Sequence, residues 1–223
     1  LSKLMDKDTV VHMCHPFGDT TGDQYYDNVL KKLNEALPDL ERRPWISMAG
    51  VDDHGNDWIG IAGTYLGTFV RPFLDIQPTG HLAHMRFHEY FKIKNQKVTE
   101  IQAIWDIPEL MMQARSWPMA PSLVREGLIP GPATCDGLQT GSYNHELSIK
   151  SKSLVIDMLT AMSRHPKEPP EAMEMTRYWH PKMNWYGPAG IGTGRGIVGF
   201  RNWHQIPFLS GMPDRGSFRE ELT

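Results

Sequence analysis

The chain has 223 residues, which is enough for one large domain or for two domains of about 110 residues each. Its 40% hydrophobic and 22% charged residues are typical of a globular protein, and its net charge of −3 gives no electrostatic reason to expect nucleic acid or a membrane surface as a partner. Two cysteines are too few for a disulfide scaffold or a cysteine-rich metal site, and no apolar run approaches the ~18 residues of a membrane span, so we expect a cytoplasmic protein.

An internal repeat relates the two ends of the chain. Residues 14–43 contain three dipeptides in order: His15-Pro16, Thr21-Gly22 and Pro38-Asp39. Residues 179–218 contain the same dipeptides in the same order: His180-Pro181, Thr193-Gly194 and Pro213-Asp214. The spacings differ by a few residues, so we interpret the two segments as a diverged duplication.

In the first copy, the residues between the Thr-Gly and Pro-Asp dipeptides predict an amphipathic helix. Thr20 or Thr21 can cap its N-terminus, and Pro38 ends it. The stripe expected to face the core is Tyr26, Val29, Leu30, Leu33 and Leu37.

After residue 43 the apolar residues alternate with a period of two, which predicts strands. Residues 42–51 and 57–70 form one expected hairpin across the turn sequence DDHGND, and residues 80–94 and 97–106 form a second across Asn95-Gln96. A short helix is expected over 106–115. Two hairpins and a preceding helix indicate an α+β unit, with a curved antiparallel sheet covered by helices on one side.

The second half of the chain is predicted to be mainly helical. A Pro/Gly-rich connector covers 130–142, and 171–179 predicts a short helix. A longer helix over 144–166 carries one apolar face: Leu147, Leu154, Val155, Met158, Leu159 and Met162. We therefore divide the chain into a first unit (1–120), a linker (121–143) and the helical part of a second, related unit (144–223) that lacks its strands. We expect a fragment of a longer two-unit protein; the alternative is a permuted arrangement within the chain or across a dimer.

Gly194, Gly196 and Gly199 match the spacing of a dinucleotide-binding turn, and Glu220-Glu221 follow at about the distance of its acidic residue. No run of branched apolar residues precedes them, however, as that fingerprint requires. The repeat instead assigns these glycines to the loop that enters the second amphipathic helix. We therefore expect no nucleotide cofactor.

Glu89 is the strongest candidate for a residue that transfers a proton. On the strand 82–93, one face carries Ala83, Met85, Phe87, Glu89, Phe91 and Ile93, and it is apolar except for Glu89. A buried carboxylate is costly unless it is paired, and an unpaired one would suit proton transfer. The alternative is a structural glutamate that is satisfied by an inward-facing Arg, Tyr or Trp. The partner strand directs Ile101, Ala103 and Trp105 to one face.

The histidines do not predict a metal site. On a strand, His84 and His88 would lie about 13 Å apart, too far to share one ion. His15 and His180 open the two repeats beside loops that could border pockets, where a capping or packing role is favoured over a catalytic one. The turn sequence DDHGND lacks the spacing of a calcium loop. We therefore expect no metal cofactor.

Several short motifs resemble the SnoaL-like polyketide cyclases of the nuclear-transport-factor-2-like superfamily. They are Gly63-Thr64-x-x-Gly67, Pro78-Thr79-Gly80, Lys97-Val98-x-Glu100 and Trp105-Asp106. The resemblance implies a cone-shaped α+β barrel with an apolar pocket, ring closure by aldol condensation without metal or nucleotide, and sheet-to-sheet dimers. It places the family's general-base aspartate on Ala103 and puts Tyr65 where relatives often carry a histidine. Asp106 is a candidate replacement for the missing base, although the sequence DIPE favours a capping box of Asp106 with Glu109.

Two functions follow from these residues. The first is a polyketide-cyclase-like enzyme that acts on a small apolar or aromatic carbonyl compound by cofactor-independent acid/base chemistry, giving cyclisation, isomerisation or dehydration. Its catalytic candidates are Glu89 for proton transfer, Tyr65 for orienting the carbonyl, and Asp106 and His15; its substrate-binding candidates are Trp58, Met85, Phe87, Phe91 and Trp105. The alternative is a ligand-binding or oligomerisation module of the same fold, without turnover. In either case we expect a homodimer or a pseudo-dimer within one chain.

Overall fold

A computed structural model describes residues 3–122, 142–165 and 167–213. These residues divide into two compact units, the first of which ends at Ala120. Most of the predicted linker, residues 123–141, lies outside the described residues, as do Cys135 and everything from residue 214 onward.

The first unit is built on a six-stranded sheet. Its strands are β1 (Met5–Met13), β2 (Asp19–Thr21), β3 (Glu41–Val51), β4 (Asp57–Thr68), β5 (Leu82–Lys94) and β6 (Lys97–Trp105). Their order across the sheet is β2-β1-β6-β5-β4-β3. Both predicted hairpins are confirmed, with Val51 opposite Asp57 and Lys94 opposite Lys97. Register shifts leave one extra residue in β3, at Trp45, and one in β6, at Thr99; such bulges bend a strand and curve a sheet.

The sheet is mixed rather than antiparallel throughout, which corrects the sequence prediction. Strand β1, which the sequence did not predict, pairs in parallel with β6, and Met13 lies opposite Ala103. Only Met5, Thr9, Val11 and Met13 of β1 are buried, so its apolar pattern is weak. Periodicity also carries no information about which distant strand becomes the neighbour.

The predicted first helix is interrupted by a π turn. Helix α1 (Gly22–Tyr25) continues through a π-helical segment (Tyr26–Leu30) into α2 (Lys31–Ala36). The wider π turn rotates the residues before it, so Tyr25 is buried and Tyr26 is 47% exposed. Tyr26 was therefore assigned to the wrong face, whereas Val29, Leu33 and Leu37 lie in the core as predicted. Thr21 occupies the N-cap position, but its side chain makes no capping hydrogen bond.

The core of the first unit lies between one face of the sheet and these helices. It includes Val11, Phe69, Phe87, Trp105 and Leu110, the last from helix α3 (Ile107–Gln113) that follows β6 as predicted. The residues predicted to alternate inward on β5, from Ala83 to Glu89, are all buried.

The second unit is mainly helical. Its elements are α4 (His145–Met162), a 3₁₀ segment (Pro170–Met173), α5 (Met175–Tyr178), β7 (Asn184–Tyr186), β8 (Thr193–Arg195), α6 (Gly196–Phe200), a π-helical segment (Arg201–Gln205) and α7 (Ile206–Gly211). Its small core contains Met173, Met175 and Phe200. The order of a three-residue strand, a short helix, a π turn and a second helix repeats that of β2, α1, the first π turn and α2. Helix α4 is confirmed, but Leu147, Leu154 and Val155 of its predicted apolar face are exposed.

The glycines at 190–199 lie in two places: Gly190 and Gly192 in the loop of a short hairpin, and Gly194, Gly196 and Gly199 where the three-residue strand β8 meets helix α6. Strand β7 pairs antiparallel with β8, and Gly190 and Gly192 in the connecting loop have positive φ angles of 88° and 83°. A Cβ atom on Gly194 would lie 3.1 Å from the backbone of Gly199, a tight contact, so strand β8 and helix α6 approach each other closely at this glycine. The glycines therefore have local structural roles.

Within the part of the chain that the structure describes, no helix has the length and apolar character needed to cross a bilayer.

Candidate functional site around Glu89

Glu89 lies at the middle of the sheet with its side chain in the core. In strand register it is opposite Ile61 of β4 and Ala103 of β6. The residue is 3% exposed, as expected from the alternation of β5. A carboxylate at such a position requires compensation by donors or by an opposite charge.

Three donors from three different strands converge on this carboxylate. The Arg42 Nη2 donates to Oε2 at 2.6 Å, the Tyr65 hydroxyl donates to Oε1 at 2.6 Å, and the Trp105 indole nitrogen donates to Oε1 at 3.0 Å. We call Arg42, Tyr65, Glu89 and Trp105 the Glu89 cluster. Arg, Tyr and Trp, the three residue types expected as structural partners of a buried glutamate, therefore all contact Glu89.

Arg42 links the cluster to solvent. Its side chain is 35% exposed, whereas that of Glu89 is 4% exposed. Its guanidinium also lies 4.5 Å from the centre of the Phe87 ring. Burial lowers the pKa of Arg42, but the charge and hydrogen bond of Glu89 outweigh that effect, and the net shift is upward. Arg42 was not among the site residues predicted from the sequence. The one feature that could have indicated it is its position opposite Tyr65 on the neighbouring strand β3.

Tyr65 serves this cluster as a hydrogen-bond donor. Burial and the negative charge of Glu89 raise the pKa of Tyr65 far above its ordinary range. The same two causes raise the pKa of Tyr25, which lies on the facing helix. Both phenols therefore keep their protons near neutral pH, so neither can act there as a base.

The predicted wall residues separate into two groups. Met85, Phe87 and Trp105 belong to the buried core and Phe91 packs against it. The Tyr65 ring lies 4.6 Å from Phe87 and 5.4 Å from Trp105, centre to centre.

Trp58 lies apart from the cluster, which corrects its proposed place in the pocket wall. It is opposite Lys92 on the other face of the sheet, and its indole nitrogen donates to Asp52 at 2.9 Å. A bond within the β3–β4 turn thus accounts for this tryptophan.

Asp106 and Glu109 do not form the predicted capping box. Asp106 makes no side-chain capping bond; it pairs with Arg86 at 3.1 Å, on the sheet face opposite Glu89. The carboxylate of Glu109 accepts from the backbone N–H of Arg86 at 2.7 Å and lies 3.2 Å from Nδ1 of His84. These charges stabilise the contact of α3 with β5, and Asp106 does not reach the Glu89 cluster.

His15 and His180, which open the two proposed repeats, lie on exposed loops. His15 is exposed between β1 and β2. The ring of His180 accepts from the backbone N–H of Lys182 at 3.1 Å, which is the capping role favoured by the sequence. Among the described residues, no three or more His, Cys, Asp or Glu side chains are grouped to hold a metal ion.

Comparison with known proteins gives the family. The family model for SnoaL-like polyketide cyclases matches residues 1–114, just over half of the 223 residues. The chain belongs to the SnoaL-like polyketide cyclase family. No curated protein matches the chain.

Three solved structures are among those similar to the chain. AclR from Streptomyces galilaeus is 20% identical, with a TM-score of 0.45 over 53% of this chain and 74% of AclR. IdmH from Streptomyces antibioticus is 16% identical, with a TM-score of 0.44 over 51% of this chain and 83% of IdmH. A SnoaL-like protein from Jannaschia sp. CCS1 is 21% identical, with a TM-score of 0.42 over 53% of this chain and 77% of that protein.

Proposed function

We propose that the first unit catalyses enolate formation on a small, largely apolar carbonyl compound, with Glu89 and Tyr65 as the proton-transfer pair. The observation that carries this proposal is the 2.6 Å hydrogen bond between the Tyr65 hydroxyl and Glu89 Oε1, inside a core of aromatic side chains. A carboxylate and a phenol in contact supply both a base and a donor. Family membership supports carbonyl chemistry as the reaction class.

In the proposed step the carbonyl oxygen of the substrate takes over the hydrogen bond of Tyr65. Oε1 of Glu89, which keeps the hydrogen bond from Trp105, then removes a proton from the adjacent carbon. The electron pair of that C–H bond forms the enolate double bond, and the negative charge moves to the carbonyl oxygen, where the Tyr65 O–H stabilises it. Arg42 holds the other carboxylate oxygen in place. The enolate then attacks a second carbonyl, eliminates a leaving group or takes back a proton, which corresponds to cyclisation, dehydration or isomerisation.

Deuterium exchange at the carbon next to the carbonyl tests this step without knowledge of the final product. Aromatic polyketide-like ketones and esters are first screened by thermal stabilisation of the protein, and those that bind are incubated in D₂O and followed by NMR. The wild-type protein should accelerate exchange over buffer, and Glu89→Gln and Tyr65→Phe should each slow it by about 100-fold or more.

Glu100→Gln is the matched control. Glu100 lies on the neighbouring strand β6 and pairs with Lys92 at 3.6 Å, outside the cluster. It should leave the exchange rate unchanged. Glu89→Gln retains an acceptor for Tyr65 and Trp105, and Arg42 is partly solvated, so we expect a loss of about 1–2 kcal/mol in folding free energy and a folded variant. Exchange that persists in Glu89→Gln would show that another group removes the proton.

A ligand-binding module without turnover is the second candidate, and Ala103 favours it. The resemblance places the catalytic aspartate at this position, yet it holds a methyl group directly opposite Glu89. The three donors also satisfy Glu89 without any ligand. Compounds that stabilise the wild-type protein but exchange no faster than in buffer would establish this function instead.

A further inference from the structure

A separate open cleft of about 370 Å³ lies beside the loop between β1 and β2. It is bordered by that loop, by the outer side of the first helical segment and by Leu74. No residue of the Glu89 cluster lines it, so the inference drawn from it does not depend on the proposed function.

The apolar side of the cleft consists of Phe17, Val29 and Leu74. Phe17 is held by two core aromatic rings, at 5.9 Å from Trp105 and 6.1 Å from Phe73, centre to centre. Val29 is 1% exposed and does not move independently of the core. Phe17 and Leu74 therefore give the cleft a preformed apolar edge, and Val29 lies behind it in the core.

Lys32 gives the cleft a positive charge that no described side chain neutralises. Its ammonium lies 5.9 Å from the centre of the Phe17 ring, and it has no ion pair among the described residues. The adjacent Lys31, by contrast, is paired with Asp27 at 3.9 Å. Asp19, the acidic residue at the cleft, is hydrogen-bonded to His12 at 2.8 Å and keeps its negative charge, so the anionic group is expected at the Lys32 side of the cleft. An anion in the cleft would therefore find its counter-charge at Lys32.

Thr20 adds an unsatisfied polar group. It lines the cleft, and its buried hydroxyl has no hydrogen-bond partner among the described residues. The hydroxyl is buried, so it makes the wall of the cleft locally polar but is not itself a contact for a ligand in this conformation.

We propose that this cleft binds a small planar aromatic carboxylate, with its ring against Phe17 and Leu74 and its anionic group at Lys32. The apolar side chains favour an aromatic ring in the ligand, and the ammonium of Lys32 beside them favours a negatively charged group. This ligand class differs from the neutral carbonyl compound assigned to the Glu89 cluster.

The test uses 2-naphthoate and its uncharged counterpart 2-naphthamide, titrated into the full chain and followed by NMR. Naphthoate should shift the methyl signals of Val29 and Leu74. Lys32→Gln should weaken naphthoate binding about three- to fivefold, as expected for a partly exposed charge pair, and should leave naphthamide binding unchanged. Lys31→Gln is the matched control and should affect neither probe.

Three results would overturn the proposal. They are no shift of the Val29 and Leu74 methyl signals at millimolar naphthoate, equal naphthoate affinity for the wild-type protein and Lys32→Gln, or an equal loss of affinity in Lys31→Gln, which would indicate non-specific attraction. Glu89→Gln should bind naphthoate as the wild-type protein does, so failure here is distinguishable from failure of the proposed enolate chemistry.

Discussion

Glu89 and His88 are adjacent on β5, but their side chains leave opposite faces of the sheet and meet different surroundings. Glu89 enters the core, where Arg42, Tyr65 and Trp105 compensate its charge. His88 lies on the outer face, as does Arg86. Partial burial, followed by the positive charge of Arg86, lowers the pKa of His88 below its ordinary value of 6.5. One position along a strand thus decides whether a charge is stabilised or opposed.

The lowered pKa of His88 predicts a pH dependence of stability. Because the folded protein holds His88 neutral more strongly than the unfolded chain does, the unfolded state binds this proton first as the pH falls below 6.5. The wild-type protein should therefore lose stability between pH 6.5 and the lower pKa of the folded state, and His88→Gln should lose less. Urea unfolding at pH 7.5, 6.5 and 5.5 measures the difference. If the free energy of unfolding falls with pH by the same amount in the wild-type protein and in His88→Gln, the prediction is contradicted. An NMR titration of the His88 ring checks the pKa directly.

At the scale of elements, the π turn decides which side of the first helix faces the sheet. A regular helix in this segment would place Tyr26 in the core stripe with Val29 and Leu33. The π turn over Tyr26–Leu30 brings in Tyr25 instead, and Tyr26 is left half exposed. The same device recurs at Arg201–Gln205, where the preceding Phe200 is buried as Tyr25 is.

This difference predicts contrasting effects for two adjacent tyrosines. Tyr25→Ala should destabilise the protein by about 3 kcal/mol, because it removes a buried aromatic side chain from the core. Tyr26→Ala should cost less than about 1 kcal/mol, because most of the side chain is in water. Chemical denaturation of both variants measures the two values, and a larger cost for Tyr26→Ala would place the helix in the register predicted from the sequence.

At the scale of the whole molecule, the order of elements from β8 to α7 resembles the order from β2 to α2. When the two π segments, Tyr26–Leu30 and Arg201–Gln205, are placed in correspondence, positions 200–213 match 25–38 with a constant offset of 175. Val29 and Leu33 are each 1% exposed against the sheet, and their equivalents His204 and Phe208 are only partly buried. We propose that residues 144–223 are the helical part of a second SnoaL-like unit, which presents the face that a sheet covers in the first unit.

The proposed arrangement predicts unequal protection from hydrogen exchange. Strands β4 to β6 line an extensive core, whereas α4 has six large apolar side chains at least 40% exposed and a single buried residue, Ala161. Amides of α4 should therefore exchange orders of magnitude faster than those of β5. Hydrogen-exchange mass spectrometry on the full chain measures this. Equal protection of α4 would contradict the prediction, and protection that grows with protein concentration would indicate that a second copy covers this face.

Local features of the sequence determined much of the first unit. Alternation with a period of two, interrupted by turn residues such as Asn95-Gln96, was sufficient for both hairpins and for the inward direction of Glu89, because these properties depend on neighbouring residues. The family motifs lie in the same segments. Tyr26 was predicted to face the core but is half exposed. Periodicity could not predict this, because a π turn has no periodic pattern of apolar residues of its own.

The sequence by itself thus determined the α+β class, the strands β3 to β6 and a glutamate that faces the core. Only the tertiary structure decided that β1 joins β6 in parallel, that Asp106 pairs with Arg86, and that Arg42 reaches Glu89 from a position 47 residues away. Such contacts depend on which strands become neighbours and on the register between them. That choice is made by the free energy of the whole packed unit, and no local stretch of residues contains it.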